Sequence, residues 1–180
     1  MAKRDKTNIT LGSGKIYLTP YTDAVPTVET LCVAENLLGH IQGGASLEYT
    51  EEPYEEKDDL GLVTKVITTS EEALLKCGLI TWNGTTLQKL IDRCSVTEAA
   101  GKRTVKIGGA GNAQGKNYAI CFHHEDKTDG DLWILIVGRN TAGATLTFAK
   151  DAGSKIEPEF KALPQDENGT LVQLIEEISE

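Results

Sequence analysis

Between Lys15 and Ile175 the chain is a succession of short β-favouring runs separated by clusters of Gly, Asn, Asp and Pro. That spacing constrains the fold more than any other feature, because runs of four to eight residues bounded by turn chemistry pair as antiparallel strands. The runs fall at 15–19, 41–49, 62–69, 72–80, 103–107, 117–124, 132–137, 144–150, 160–163 and 170–175. In 41–49 the odd positions Ile41, Ala45, Leu47 and Tyr49 are apolar while Gln42, Ser46 and Glu48 are polar, the period of a strand with one wet face. Residues 132–137 are apolar throughout, which predicts a central strand covered on both sides. Lys127-Thr128-Asp129-Gly130 reads as the hairpin connection leading into it.

One helix interrupts the pattern, at about 85–94, where Leu87, Leu90, Ile91 and Cys94 recur at helical spacing. Asn83-Gly84 forms a turn before it, and Thr85 with Gln88 makes a capping-box pattern. The expected fold is therefore mainly β, one domain over 15–180 with one packed helix. Residues 1–14 form an N-terminal arm with no core of its own. Between two strands lies 50–59, T-E-E-P-Y-E-E-K-D-D, with six acids and one lysine. It reads as a long inter-strand loop, either a solvated surface or a reach toward a neighbour.

With 180 residues the chain suits one domain. Its 18 Lys and Arg against 27 Asp and Glu leave a net charge of −9. A groove that grips nucleic acid is excluded on that balance, since such affinity comes from basic side chains displacing counterions from phosphates. No apolar run approaches the ~20 residues that span a bilayer, and no apolar segment follows the basic start Met-Ala-Lys-Arg, so no membrane partner and no signal peptide are expected. Synthesis in the cytoplasm follows, with Cys32, Cys77, Cys94 and Cys121 as reduced thiols. A zinc site joining them to His123 or His124 lacks the usual ligand spacing.

The remaining motifs carry no chemistry. Gly108 to Lys116 is glycine-rich, but Ala110 stands where a P-loop needs glycine and Asn117 where it needs Ser or Thr. A strand rather than a helix follows, so the segment is a β-β connection. His123 and His124 are adjacent on a strand and point to opposite faces, a polar strand end rather than a metal or acid–base site. The Asn8, Asn83 and Asn168 sequons read as turn chemistry. No catalytic residue, cofactor or metal is expected.

Four segments taken together carry a resemblance: Leu11-Gly-Ser-Gly-Lys-Ile-Tyr17, the stretch Leu38 to Tyr49 (L-G-H-I-Q-G-G-A-S-L-E-Y), Asp58-Asp-Leu-Gly-Leu-Val63, and Phe160 to Leu171 (F-K-A-L-P-Q-D-E-N-G-T-L). In this order, over about 9–175, the chain resembles the tail tube (major tail) proteins of long-tailed bacteriophages of Gram-positive hosts. The resemblance implies a non-enzymatic virion subunit with an antiparallel β-sandwich or barrel-like tail-tube fold, assembled in the host cytoplasm into stacked hexameric rings that make a hollow tube for DNA ejection. The implied partners are other copies of itself, tail-tip or baseplate, tape-measure and tail terminator proteins, and DNA passing without specific binding.

On this sequence the resemblance makes Glu51, Glu52, Tyr54, Glu55, Glu56, Lys57, Asp58 and Asp59 an inter-ring loop. Gln42, Ser46 and Glu48, on the polar face of the preceding strand, are candidate lumen lining. The alternatives are a monomeric β-sandwich binding module on a virion or cell surface, or the inner-tube subunit of a contractile tail or tailocin. Aromatic residues at 6% argue against a binding module that stacks sugars.

Overall fold

A computed structural model of the chain describes residue 4, residue 7 and residues 9–178. Among them are ten strands and two short α-helices: β1 Lys15–Pro20, α1 Val28–Leu31, β2 Leu37–Gly39, β3 Ile41–Lys57, β4 Thr64–Leu79, α2 Gly84–Leu90, β5 Cys94–Ala99, β6 Lys102–Ile107, β7 Tyr118–His124, β8 Leu132–Asn140, β9 Glu159–Leu163 and β10 Val172–Glu176. The fold is mainly β, and every pairing is antiparallel. Eight strands form one sheet in the order β2-β1-β7-β8-β9-β4-β3, with β10 added beside β8; β5 and β6 make a separate hairpin.

The two margins of that sheet, β2 and β3, are neighbours in the chain, separated only by His40. His40 donates its N–H to Thr81 Oγ1 at 2.7 Å, and its carbonyl accepts from the Ile80 N–H at 2.9 Å. The sheet therefore curls until its ends meet, as in a barrel. Its concave side encloses the larger core, in which Ile16, Leu18, Leu75, Leu79, Ile120, Ile136 and Phe160 are nearly or fully inaccessible. Across the sheet a second cluster joins Tyr17, Ala119, Cys121 and Leu135 to Val28 and Leu31 of α1.

Strand β8 is central, as its all-apolar run predicts. It pairs with β7 along one side and shares the other between β10 and β9. Ile134 and Ile136 face the larger core, and Trp133 and Leu135 the smaller one. Gly138 lets β8 and β9 meet this closely, because a Cβ there would lie 2.0 Å from the Lys161 carbonyl oxygen.

Several expectations need correction. The segment 50–59 is not a loop: β3 runs through it to Lys57, paired with β4. The runs 62–69 and 72–80 are one strand, bulged at Thr69 rather than broken. The helix spans Gly84–Leu90 instead of 85–94: its capping box is made by Asn83 with Thr86, not by Thr85 with Gln88, and the backbone becomes extended at Ile91 (φ −115°, ψ 113°). Asn83 Oδ1 accepts the amides of Thr85 and Thr86 at 2.9 and 3.1 Å, and Cys94 already belongs to β5. Residues 144–150 form no strand, although Ala144 and Leu146 still pack on the core. Three elements had no expectation attached: α1, β2 and β5.

Phe160 is fully buried where β9 crosses the core. Phe160→Ala is expected to cost about 3–5 kcal/mol, read as a lower urea midpoint with an unchanged slope. Asn83→Ala removes two capping acceptor contacts and is expected to cost about 1 kcal/mol in the same measurement.

Candidate assembly surface

The long β3–β4 hairpin is built in two parts. In the lower part, Ala45, Leu47 and Tyr49 lie opposite Cys77, Leu75 and Ala73, and the inward residues of β4 are buried in the core. Gly43 and Gly44, at φ 87° and 80°, form an irregularity between the Ile41–Leu79 and Ala45–Cys77 pairs. It gives β3 two extra residues, an even number, so the inward–outward alternation read from the sequence survives.

Beyond Glu72 no other element among the described residues packs on the hairpin. Each residue from Tyr49 to Glu71 is exposed. The pairing nonetheless continues to Lys57–Thr64, so the arm projects about 25 Å at the rise of a strand. Pro53 sits beside the β4 bulge, a position that tolerates a residue without an N–H. The Thr69 hydroxyl there donates to the Glu52 carbonyl at 2.9 Å.

The tip, 58–63, is organised by Asp58. Its Oδ1 accepts the Val63 N–H at 2.7 Å, the backbone closes through Asp58 N–H to Val63 O at 3.1 Å, and Gly61 supplies the left-handed turn at φ 67°. Acceptance of the Val63 amide, before smaller backbone contributions, holds the Asp58 carboxyl below its ordinary range. The tip also exposes Leu60, Leu62 and Val63, at 79%, 80% and 69%, and the shaft exposes Tyr54, Val66 and Ile67. These apolar side chains lie among eight acids and two lysines in 50–72. Sequence reasoning dwelt on the acids and missed the apolar residues; the run L-G-L-V directly after two aspartates was the available signal.

The sequence-predicted sites are placed as follows. Glu51, Glu52, Tyr54, Glu55, Glu56 and Lys57 lie on strand β3, and only Asp58 and Asp59 belong to the turn. Glu51 stands directly opposite Glu71. The Tyr49 hydroxyl donates to Glu51 Oε1 at 2.8 Å, and that contact is the largest of those that push the phenol up to about 12. Tyr54 donates to Glu56.

Gln42, Ser46 and Glu48 are all exposed. Glu48 is not a free acid: Lys76 Nζ lies 2.9 Å from it and 3.7 Å from Glu159, while Lys161 pairs with Glu72. Arg139 lies opposite Lys161 in register. The polar face of β3, β4 and β9 is thus a ladder of alternating charges rather than an acidic wall.

The other candidates are structural. Gln114, in the glycine-rich segment, donates through Nε2 to the carbonyls of Gln88 at 2.9 Å and Cys94 at 3.0 Å, so the segment straps α2 to β5. His123 stacks on Trp133 at 4.9 Å between ring centroids and contacts Asp131 at 2.8 Å. His124, on the opposite face, contacts the Ser13 carbonyl at 2.7 Å. Among the described residues no group of three or more His, Cys, Asp or Glu is placed to hold a metal ion, and no helix is long and apolar enough to cross a membrane.

Asn83 is the helix cap and Asn168 lies in a turn held by Asp166; Asn8 lies outside the described residues. Of the expected arm 1–14, residues 1–3, 5, 6 and 8 also lie outside them. Arg4 is fastened to the β7–β8 turn by a 2.9 Å bond from Nε to the Gly130 carbonyl. Ile9 and Leu11 are exposed.

Compared with models of known protein families and with curated proteins, the chain matches none.

Replacing Leu60, Leu62 and Val63 together by serine is expected to leave the melting temperature unchanged while weakening retention on a hydrophobic column, because the three touch no core. The Asp58 contact has a defined pH sign. A carboxyl lowered by folding stabilises fully above its ordinary value of ~3.9 and loses that effect as pH falls through its lower folded value. The protection of the Val63 amide against exchange, measured by NMR relative to the intrinsic rate at each pH, is expected to fall in that acid range, and Asp58→Asn to weaken the pH dependence.

Proposed function

We propose that the chain is a structural subunit of a bacteriophage tail tube, one that assembles into stacked hexameric rings enclosing a bore through which DNA passes. One observation carries the reading: an extended hairpin projects from the closed domain with both edges unpaired over its outer half and a solvent-exposed apolar tip. Unpaired strand edges and exposed apolar side chains are aggregation hazards that proteins retain where another chain covers them.

In this reading the arm reaches the next ring, and Glu51, Glu52, Tyr54, Glu55, Glu56, Lys57, Asp58 and Asp59 contribute to that contact together with the apolar tip. The outer edge of β3 adjoins a neighbouring copy within the ring, a heterologous contact that closes when the rotation per subunit divides a full turn. Gln42, Ser46 and Glu48 face the bore. Since Lys76 and Lys161 are occupied by Glu48, Glu159 and Glu72, no cluster of free cations is offered to phosphates there, and DNA passes without counterion-release binding. The subunit performs no catalysis and uses no cofactor. Its other partners are the tail-tip, tape-measure and terminator proteins, and its place is the virion tail after assembly in the host cytoplasm.

The test is assembly. Residues 51–71 are replaced by an Asn-Gly turn, which removes the projecting half and joins Thr50 to Glu72. The expected product is a folded monomer, with native circular dichroism and cooperative unfolding, that yields no tubes under negative-stain microscopy at concentrations where the intact chain does. An intact chain that stays monomeric at rising concentration in size-exclusion chromatography would favour the binding-module reading.

A further inference from the structure

Two free strand edges face each other at the foot of the arm. Strands β9 and β10 lie end to end along one side of β8: Leu163 is opposite Val137, and Val172 is opposite the next residue, Ile136. Strand β4 runs along the outer side of β9, but toward the tip their pairing stops at Leu74–Lys161, and among the described residues β10 pairs with β8 alone. Where the two edges part, Glu71 and Val172 line one groove of about 340 Å³ together with Leu47 and Tyr49. We propose that the arm has a second, docked position, in which the outer half of β4 zips onto the free edge of β10 and covers apolar residues exposed on both.

The existing registers determine how the two edges meet. Counting outward from Leu74–Lys161, Ala73 falls opposite Ala162, Glu72 opposite Leu163, Glu71 opposite Val172 and Ser70 opposite Gln173. Thr69 is the extra residue of the bulge, since Glu52 pairs with Ser70 and Pro53 with Thr68. The register therefore resumes as Thr68–Leu174, Ile67–Ile175, Val66–Glu176 and Lys65–Glu177. Backbone polarity agrees with it. Glu177 donates its N–H to the Asp131 carbonyl at 3.0 Å, and because successive residues of a strand bond to alternate sides, the amides of Val172, Leu174 and Glu176 point away from β8. Cys77 donates to the Pro158 carbonyl at 3.4 Å, which by the same alternation puts the Glu71 amide on the side away from β3. Past the bulge, the Asp58–Val63 bond at 3.1 Å turns Lys65 and Ile67 toward β3 and leaves Val66 and Thr68 pointing away from it. Glu71–Val172, Thr68–Leu174 and Val66–Glu176 are thus matched pairs of donors and acceptors.

Side-chain chemistry agrees as well. Val66, Ile67 and Leu174 are exposed. Docking sets Ile67 beside Ile175, which packs on the smaller core, and places Leu174 beside Thr68 with Val66 diagonal to it. Lys65 meets Glu177, an opposite-charge pair. A hairpin with no third strand is marginal in water, and β10 supplies the third strand. The occupant of the gap follows from strand direction. Because β10 continues the direction of β9, it runs antiparallel to β4, so zipping adds one more pairing of the kind found throughout the fold. A strand inserted from another molecule would have to run parallel to one of the two edges. The docked position hides the β4 edge of the arm until β10 is displaced, and it belongs to the single chain whatever the projecting arm meets.

The experiment uses the full chain at a concentration where size-exclusion chromatography shows a monomer, and no readout involves tubes. In the intact chain, the amides of Thr68, Leu174 and Glu176 are expected to exchange at least ~10-fold more slowly than their intrinsic rates, followed by NMR. Lys65→Cys with Glu177→Cys places two thiols at the far end of the zipper, at a pair without mutual backbone bonds, where side chains come closest. Under oxidised glutathione this pair is expected to form an intramolecular disulfide at least ~10-fold faster than Lys65→Cys with Gln173→Cys, which is four pairs out of register. Both are made with Cys32→Ser, since that native thiol is partly exposed, and both are read by peptide mass spectrometry. Thr68→Pro removes a donor on the β10 side and spares the bonds to β3; it is expected to lower protection at Leu174 and to slow the cross-link. Exchange of Leu174 and Glu176 at intrinsic rates in the intact chain, equal cross-linking of the two cysteine pairs, or a disulfide formed only between two chains would overturn the proposal. Because exchange in the intact chain decides it, a variant that fails to fold does not remove the test.

Discussion

The structure depends on one stretch of backbone serving both margins of a sheet. Leu37–Gly39 pairs with β1 at one end of the strand order, and, after a single residue, Ile41 onward pairs with β4 at the other. An open sheet of this size would present its apolar face to water. Curled through His40 and Thr81, it encloses Phe160, Leu75, Ile136 and their neighbours instead. Because a strand enters the ladder through two sides only, the one that closes the domain against β4 keeps its outer side free. Closure of the core and exposure of a long edge are consequences of the same arrangement.

How far this was legible in the sequence depends on whether a segment's partner is local. Period-two alternation at 41–49 and the all-apolar 132–137 gave strand identity, the wet face and the central position, because burial on one or both sides writes itself into side-chain type. The segment 50–57 defeats that logic. Its T-E-E-P-Y-E-E-K sequence has no buried face to record, so nothing in its hydrophobic pattern distinguishes a paired strand from a loop; the pairing comes from β4 across the turn. The converse error occurs at 144–150, where Ala144, Leu146 and Phe148 alternate like a strand, yet the segment forms none: Ala144 and Leu146 pack against the core and Phe148 is exposed. The helix failed at its two ends for different reasons: Asn83 took the capping position expected of Thr85, which moves the start by one residue, while the chain turns extended at Ile91 (φ −115°, ψ 113°) and Cys94, whose spacing continues the apolar stripe, is drawn into strand β5.

The charge reading changed more than the fold reading. A net charge of −9 suggests acidic surfaces throughout, but the molecule distributes it unevenly. On the polar face at the hairpin base, Glu48, Glu72 and Glu159 are matched by Lys76 and Lys161, and such exposed pairs contribute little to stability. Their effect is to flatten the local field. The unmatched acids are concentrated on the projecting arm, where Glu51 faces Glu71 in register, a like-charge juxtaposition that weakens a hairpin.

That weakness has a physical counterpart in what the arm must avoid. An unpaired edge of this length with Tyr54, Val66 and Ile67 on its surface is a template for indiscriminate strand addition, and charge on the edge is the common protection against it. Carboxylates repel an identical edge sliding into register, since the same acids would then meet each other. They do not repel a surface of different charge, or an apolar recess that accepts Leu60 and Leu62 at the tip. The arm is therefore selective by composition: like-with-like pairing is opposed along the shaft, while the apolar tip remains attractive to a complementary site. In the assembly proposed above, a hairpin whose shaft discourages self-pairing and whose tip favours burial would favour joining copies head to tail over pairing edge to identical edge, the geometry from which an extended polymer is built.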